Sequence, residues 1–160
     1  MGLNEKSAAG PLRFPPESQA TTRAGVNDQD ISAADQGPRR YRARITRAPV
    51  LDRNRLQERA GTPQSWRFHD FVSTFLLMLP YRVEKVHRAL IVGDWEDGRL
   101  AAQNLSWSAS MAGACRLELI AGLIDADLQS GRKARARETA CLLRGTATEL
   151  ATALDLLTAG

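Results

Sequence analysis

The stretch Trp95-Glu96-Asp97-Gly98-Arg99-Leu100-Ala101-Ala102-Gln103-Asn104-Leu105-Ser106-Trp107-Ser108-Ala109, continuing through Ser110 to Ala112, decides how the rest of the chain is read. At about 100° per residue and with Gln103 at zero, Glu96, Arg99, Ser106, Trp107 and Ser110 fall within roughly 60° of it. Ala101, Leu105, Ser108, Ala109 and Ala112 gather on the far side. One polar face and one face of small apolar residues predict a helix whose inner side lets a neighbouring helix approach closely. Trp107 is the anomaly, a large aromatic placed among short polar groups on the outer face.

The flanking segments follow the same helical period. Downstream, Leu117, Leu119, Ile120, Leu123, Ile124 and Leu128 predict a helix from Cys115 to about Gln129, closed by Ser130-Gly131. A last helix is expected from Lys133 to Thr158, with Ala140, Leu143, Ala147, Leu150, Leu154 and Leu157 on one stripe. Upstream, Phe68, Val72, Phe75, Leu76 and Leu79 form a stripe as far as Pro80, where a helix kinks or ends because proline has no amide hydrogen to donate. Val83, Val86, Leu90 and Ile91 carry the stripe on to Gly93, and Asp52 to Ala60 predicts a short leading helix stopped at Gly61. No alternating strand pattern interrupts this. Short connections at Val92-Gly93-Asp94 and Ser130-Gly131 make neighbours antiparallel, so the expected fold is all-α, an up-down antiparallel four-helix bundle of residues 48–160.

The first 47 residues differ in composition. They hold Gly10-Pro11, Pro15-Pro16 and Gly37-Pro38 among many small polar residues, without an apolar period, and read as a disordered basic tail or linker. Residues 1–50 carry eight Lys and Arg against five Asp and Glu, and residues 51–160 carry fourteen against thirteen, so the excess lies at the front. It concentrates in Arg39, Arg40, Arg42, Arg44 and Arg47, a run that attracts nucleic acid, an acidic membrane surface or an acidic protein, with no base-reading motif beside it.

Several classes of function fall away on composition. Cys115 and Cys141 lie in apolar helical patterns without CxxC spacing or a histidine cluster, so they read as reduced core cysteines, with neither metal nor cofactor implied. Met1 to Lys6 lacks an apolar signal core, and Lys6 stands where the myristoylation pattern wants Ser or Thr. The longest apolar run, Phe75 to Leu79, is too short to span a bilayer, which leaves a cytoplasmic protein as the expectation.

Ala101-Ala102-Gln103-Asn104-Leu105-Ser106-Trp107-Ser108-Ala109, followed by Gly113-Ala114, resembles the motif of histidine-phosphotransfer domains, which reads approximately A-A-H-x-L-K-G-S/A-A with a later Gly-Ala. Pro80 to Leu90 followed by Gly93-Asp94-Trp95 is similar to the family's preceding helix and turn, and Leu51 to Ala60 to its leading segment. The resemblance covers about 110 residues. It implies a four-helix bundle that docks a response-regulator receiver domain or a sensor kinase in a phosphorelay.

Departures from that motif fall on the chemistry. Gln103 stands in place of the phosphate-accepting histidine, and an amide whose nitrogen lone pair is delocalised cannot form a phosphoramidate. Ser106 replaces the following lysine and Trp107 the glycine that leaves room one turn above the ring, so the indole is expected to overhang Gln103. The expected activity is therefore binding without transfer, and the chain is not expected to be an enzyme. Its docking face would be Glu96, Arg99, Gln103, Ser106, Trp107 and Ser110. His87 and His69 are the remaining candidates for a phosphoacceptor, and neither carries the surrounding motif. A second reading is a helical regulatory module outside any phosphorelay, whose basic segment binds an anionic partner.

Overall fold

The computed structural model describes residues 28–159, with side chains described at residue 37 and from residue 39 onward. Seven helices and no strand occur among the described residues: α1 (Asp28–Arg47), α2 (Arg53–Ala60), α3 (Trp66–Val92), α4 (Trp95–Met111), α5 (Cys115–Gln129), α6 (Lys133–Ala140) and α7 (Leu143–Thr158). Helix starts are set by local hydrogen bonds. The Asp52 carboxylate accepts from the amides of Asn54 and Arg55 at 3.0 and 3.2 Å, the Ser65 hydroxyl from Phe68 at 3.2 Å, and Asp94 from Asp97 at 3.0 Å. Each satisfies an amide that the first turn leaves without a helical partner. Gly93 ends α3 in the left-handed region at φ 79° and ψ 18°, where a side chain would be strained.

The helices pack as an all-α, bundle-like arrangement. Helix α4 lies against α3 and α5, α5 against α6, and α7 returns onto α3 and α5. Burial follows the expected stripes: Phe68, Val72, Phe75, Leu79, Val83, Val86 and Leu90 of α3, Ala101, Leu105 and Ala109 of α4, and Leu117, Ile120 and Ile124 of α5. Small residues allow α4 to sit close, since a Cβ added at Gly98 would meet Leu90 Cδ2 at 3.3 Å. At Gly113, φ is +68° and an added Cβ would collide with the Asp52 carbonyl, while the Gly113 carbonyl accepts from the Asp52 amide at 2.7 Å. That glycine locks the leading segment to the α4–α5 turn.

Four expectations are corrected. The stretch assigned to a tail ending at residue 47 is helical from Asp28, and Tyr41 and Ile45, one turn apart, seat its end on the bundle. The Tyr41 hydroxyl donates to Asp127 at 2.9 Å, and Arg116 donates to the Ala48 and Thr46 carbonyls at 3.0 and 3.3 Å, capping that end. The expectation of disorder for residues 1–27 lies outside the described residues. Of the two readings of Pro80, an end to the helix is excluded, since α3 runs through it with the proline on an exposed position. Ile91, assigned to the α3 stripe, is exposed at the helix's end. The single last helix is two, interrupted at Cys141 and Leu142, where the Leu142 amide bonds three residues back to Thr139 at 3.1 Å. The interruption leaves Cys141 exposed, and Cys115 is only partly buried; both are free thiols.

Candidate docking surface

Helix α4 carries the six candidate residues, and Glu96, Arg99, Gln103 and Trp107 reach solvent on the face assigned to them. Gln103 is exposed near the middle of the helix, Glu96 is exposed and Arg99 half-exposed, and Trp107 shows 71% of its surface to solvent. The Gln103 side-chain amide donates to both oxygens of Asp125 on α5, at 3.1 and 3.2 Å. Asp125 has no signature in the sequence that would pair it with Gln103, since only the packing of α4 on α5 brings them together.

Ser106 and Ser110 turn inward from the face assigned to them. The Ser106 hydroxyl donates to the Glu118 carbonyl at 3.3 Å. Ser110 accepts from Arg55 of α2 at 2.9 Å, and the same guanidinium lies 3.1 Å from the Glu118 carboxylate and 3.6 Å from the Cys115 sulfur. The two carbon-linked hydroxyls thus help fix α2 and α5 to α4 and are not free for a partner. Hydrogen bonds to Cys115 and Glu118 hold the Arg55 guanidinium above its ordinary range.

Trp107 and Gln103 diverge. Gln103 reaches toward α5, whereas Trp107 borders a shallow groove of about 200 Å³ toward α3, lined by Phe71, Thr74, Phe75, Arg82, Ser108 and Met111. Phe71 and Thr74 also line the neighbouring depression beside Trp66, itself 75% exposed, with Arg59 and Arg67 at its edge. Two exposed indoles therefore border neighbouring depressions that share Phe71 and Thr74, the one at Trp107 mainly apolar and the one at Trp66 edged by Arg59, Arg67 and Asp70. Arg59, Arg67 and Arg82 form no ion pair among the described residues. Trp66 was absent from the expected face because the wheel of α4 carries no information on the start of α3.

The remaining histidines differ in environment. His69 is exposed beside Phe68, their rings 6.1 Å apart edge to face. His87 points its Nε2 into the protein, where it is buried without a hydrogen-bond partner, so that nitrogen is closed to a phosphoryl donor. Burial holds the His87 imidazole below its ordinary range, the Arg144 charge adds to the effect, and Glu84 opposes it. Arg39, Arg40, Arg42, Arg44 and Arg47 are all exposed on α1, away from α4. Among the described residues no group of His, Cys, Asp and Glu is placed to hold a metal, and no helix is long and apolar enough to cross a membrane.

No protein-family model matches the chain, and none of the curated proteins or solved structures compared with it gives a match.

Proposed function

We propose that this chain is a phosphorelay adaptor in a cytoplasmic setting: an up-down four-helix bundle similar to a histidine-phosphotransfer domain that docks a receiver domain or sensor kinase without carrying phosphate. The supporting observation is the exposed Trp107 at the mouth of an apolar groove, one helical turn from Gln103 on the helix that bears the family-like motif. Tryptophan is the residue type most enriched at binding hot spots, and an apolar centre edged by Arg82 and polar side chains has the composition of a small interface. Gln103 has no nitrogen free to attack phosphorus, and His87 Nε2 is buried, which favours docking over transfer.

Titration of the full chain against the receiver domains and sensor kinases of its own organism tests the reading. At least one is expected to bind, Trp107→Ala is expected to weaken that binding by tenfold or more, at about 1.4 kcal/mol per decade, and a phosphorylated receiver should leave no acid-labile label on the chain. Absence of binding to all of them would refute the adaptor.

A further inference from the structure

Two basic segments far apart in sequence, Arg39 to Arg47 and Arg132 to Arg137, meet in the fold. Arg135 stacks its guanidinium 4.2 Å from the Tyr41 ring, and Arg42 of α1 lines one cleft with Arg135, Glu138 and Thr139 of α6. Arg132 and Arg135 both reach Asp127, at 2.9 and 3.4 Å, the carboxylate that also accepts from Tyr41. Asp127 is 1% exposed, so its charge is spent inside the seam and the guanidiniums form the outer surface. Along α1, Arg40, Arg44 and Arg47 recur at four- and three-residue spacing and so share a face. With Arg42 they form no ion pair among the described residues.

We propose that the Arg40, Arg44 and Arg47 face of α1, held in place by the α1–α6 seam, binds the phosphate backbone of double-stranded DNA without reading its sequence. Guanidinium groups match phosphate oxygens in a two-pronged geometry, and Arg40, Arg44 and Arg47 project from exposed positions on one face of α1, with Arg42 on the opposite side of the helix beside α6. Other partners fit less well. A protein interface needs an apolar centre, and no large exposed hydrophobic residue lies on the described part of α1, the α1–α6 cleft adding only Leu142, 36% exposed. A single strand needs aromatic faces for its bases, and the Tyr41 ring is already covered by Arg135. A membrane surface would want apolar anchors beside the arginines, and the same absence on α1 speaks against it. This surface shares no residue with the groove at Trp107, so the inference stands apart from the proposed docking function.

Fluorescence anisotropy of the full-length protein with two duplexes of unrelated sequence, across salt from about 50 to 200 mM, tests it. Both duplexes should bind equally, and affinity should fall steeply with salt as counterions are released. Arg40→Gln/Arg44→Gln/Arg47→Gln should weaken binding at least tenfold and flatten the log–log salt slope by about 2 to 3, with an unchanged circular-dichroism spectrum. Trp107→Ala should bind both duplexes as the parent does. The proposal is overturned by no binding at the lowest salt, by a triple variant that binds like the parent, or by tighter binding to single-stranded RNA, anionic vesicles or a polyglutamate peptide.

Discussion

His87 occupies a boundary position on α3 where its ring is half-buried and its Nε2 has neither solvent nor partner. Burial disfavours the charged imidazolium, so the folded chain takes up this proton at lower pH than the unfolded chain does. Below about pH 6.5 the unfolded state binds more protons, and stability falls as pH falls toward the depressed folded value. Glu84, held below its ordinary range chiefly by a hydrogen bond from Arg144, loses its contribution only in more acidic solution. Urea midpoints at pH 7 and pH 5 should therefore drop in the parent and drop less in His87→Leu; equal drops in the two proteins would contradict this account. At the same scale, the α4 wheel recovered the buried Ala101, Leu105 and Ala112 and the exposed Gln103, because their positions lie near the centres of the two faces. Ser106 lies about 60° from Gln103, at the flank of that wheel, but Ser110 lies only about 20° from it, and both are drawn in because α5 and α2 lie beside them. That neighbourhood is a property of packing, and no spacing within α4 encodes it.

Helix α1 is the element the composition concealed. Its mean character is strongly polar, and Gly37-Pro38 reads as a breaker, so the signal reduces to Tyr41 and Ile45 four residues apart. Their seats are made elsewhere, by Asp127, Arg135 and Arg116 on α5 and α6. Ile45 is 5% exposed, and truncating a buried isoleucine to alanine costs about 2 to 5 kcal/mol. A chain beginning at Pro49 should lose at least as much stability in urea as the full-length Tyr41→Ala/Ile45→Ala variant, since it removes the same side-chain contacts and also the Thr46 and Ala48 carbonyls that accept from Arg116. Full stability in the shortened chain would mean that α1 contributes nothing to the bundle. The break between α6 and α7 was hidden for a different reason: Cys141 and Leu142 keep right-handed helical angles, and neither glycine nor proline marks the place.

At the scale of the whole molecule, α4 and α5 together decide whether phosphate could ever be accepted at position 103. The Gln103 amide nitrogen stands 3.1 and 3.2 Å from the two Asp125 oxygens, and an imidazole Nε2 placed there would be held by the same carboxylate. That nitrogen would be occupied, and the incoming phosphoryl group, carrying about −1.5 to −2 charge in its product, would arrive beside a fixed negative charge. Repulsion at about 4 Å is of order 1 kcal/mol per charge pair in water and about 4 at a protein surface, enough to suppress uptake by tenfold or more. Restoring the family-like motif by Gln103→His/Ser106→Lys/Trp107→Gly should therefore give weak acid-labile labelling from a phosphorylated receiver. Adding Asp125→Asn, which keeps a hydrogen-bond acceptor but removes the charge, should raise labelling at least tenfold. Equal labelling of the triple and quadruple variants would show that the α5 carboxylate is no obstacle to labelling at position 103.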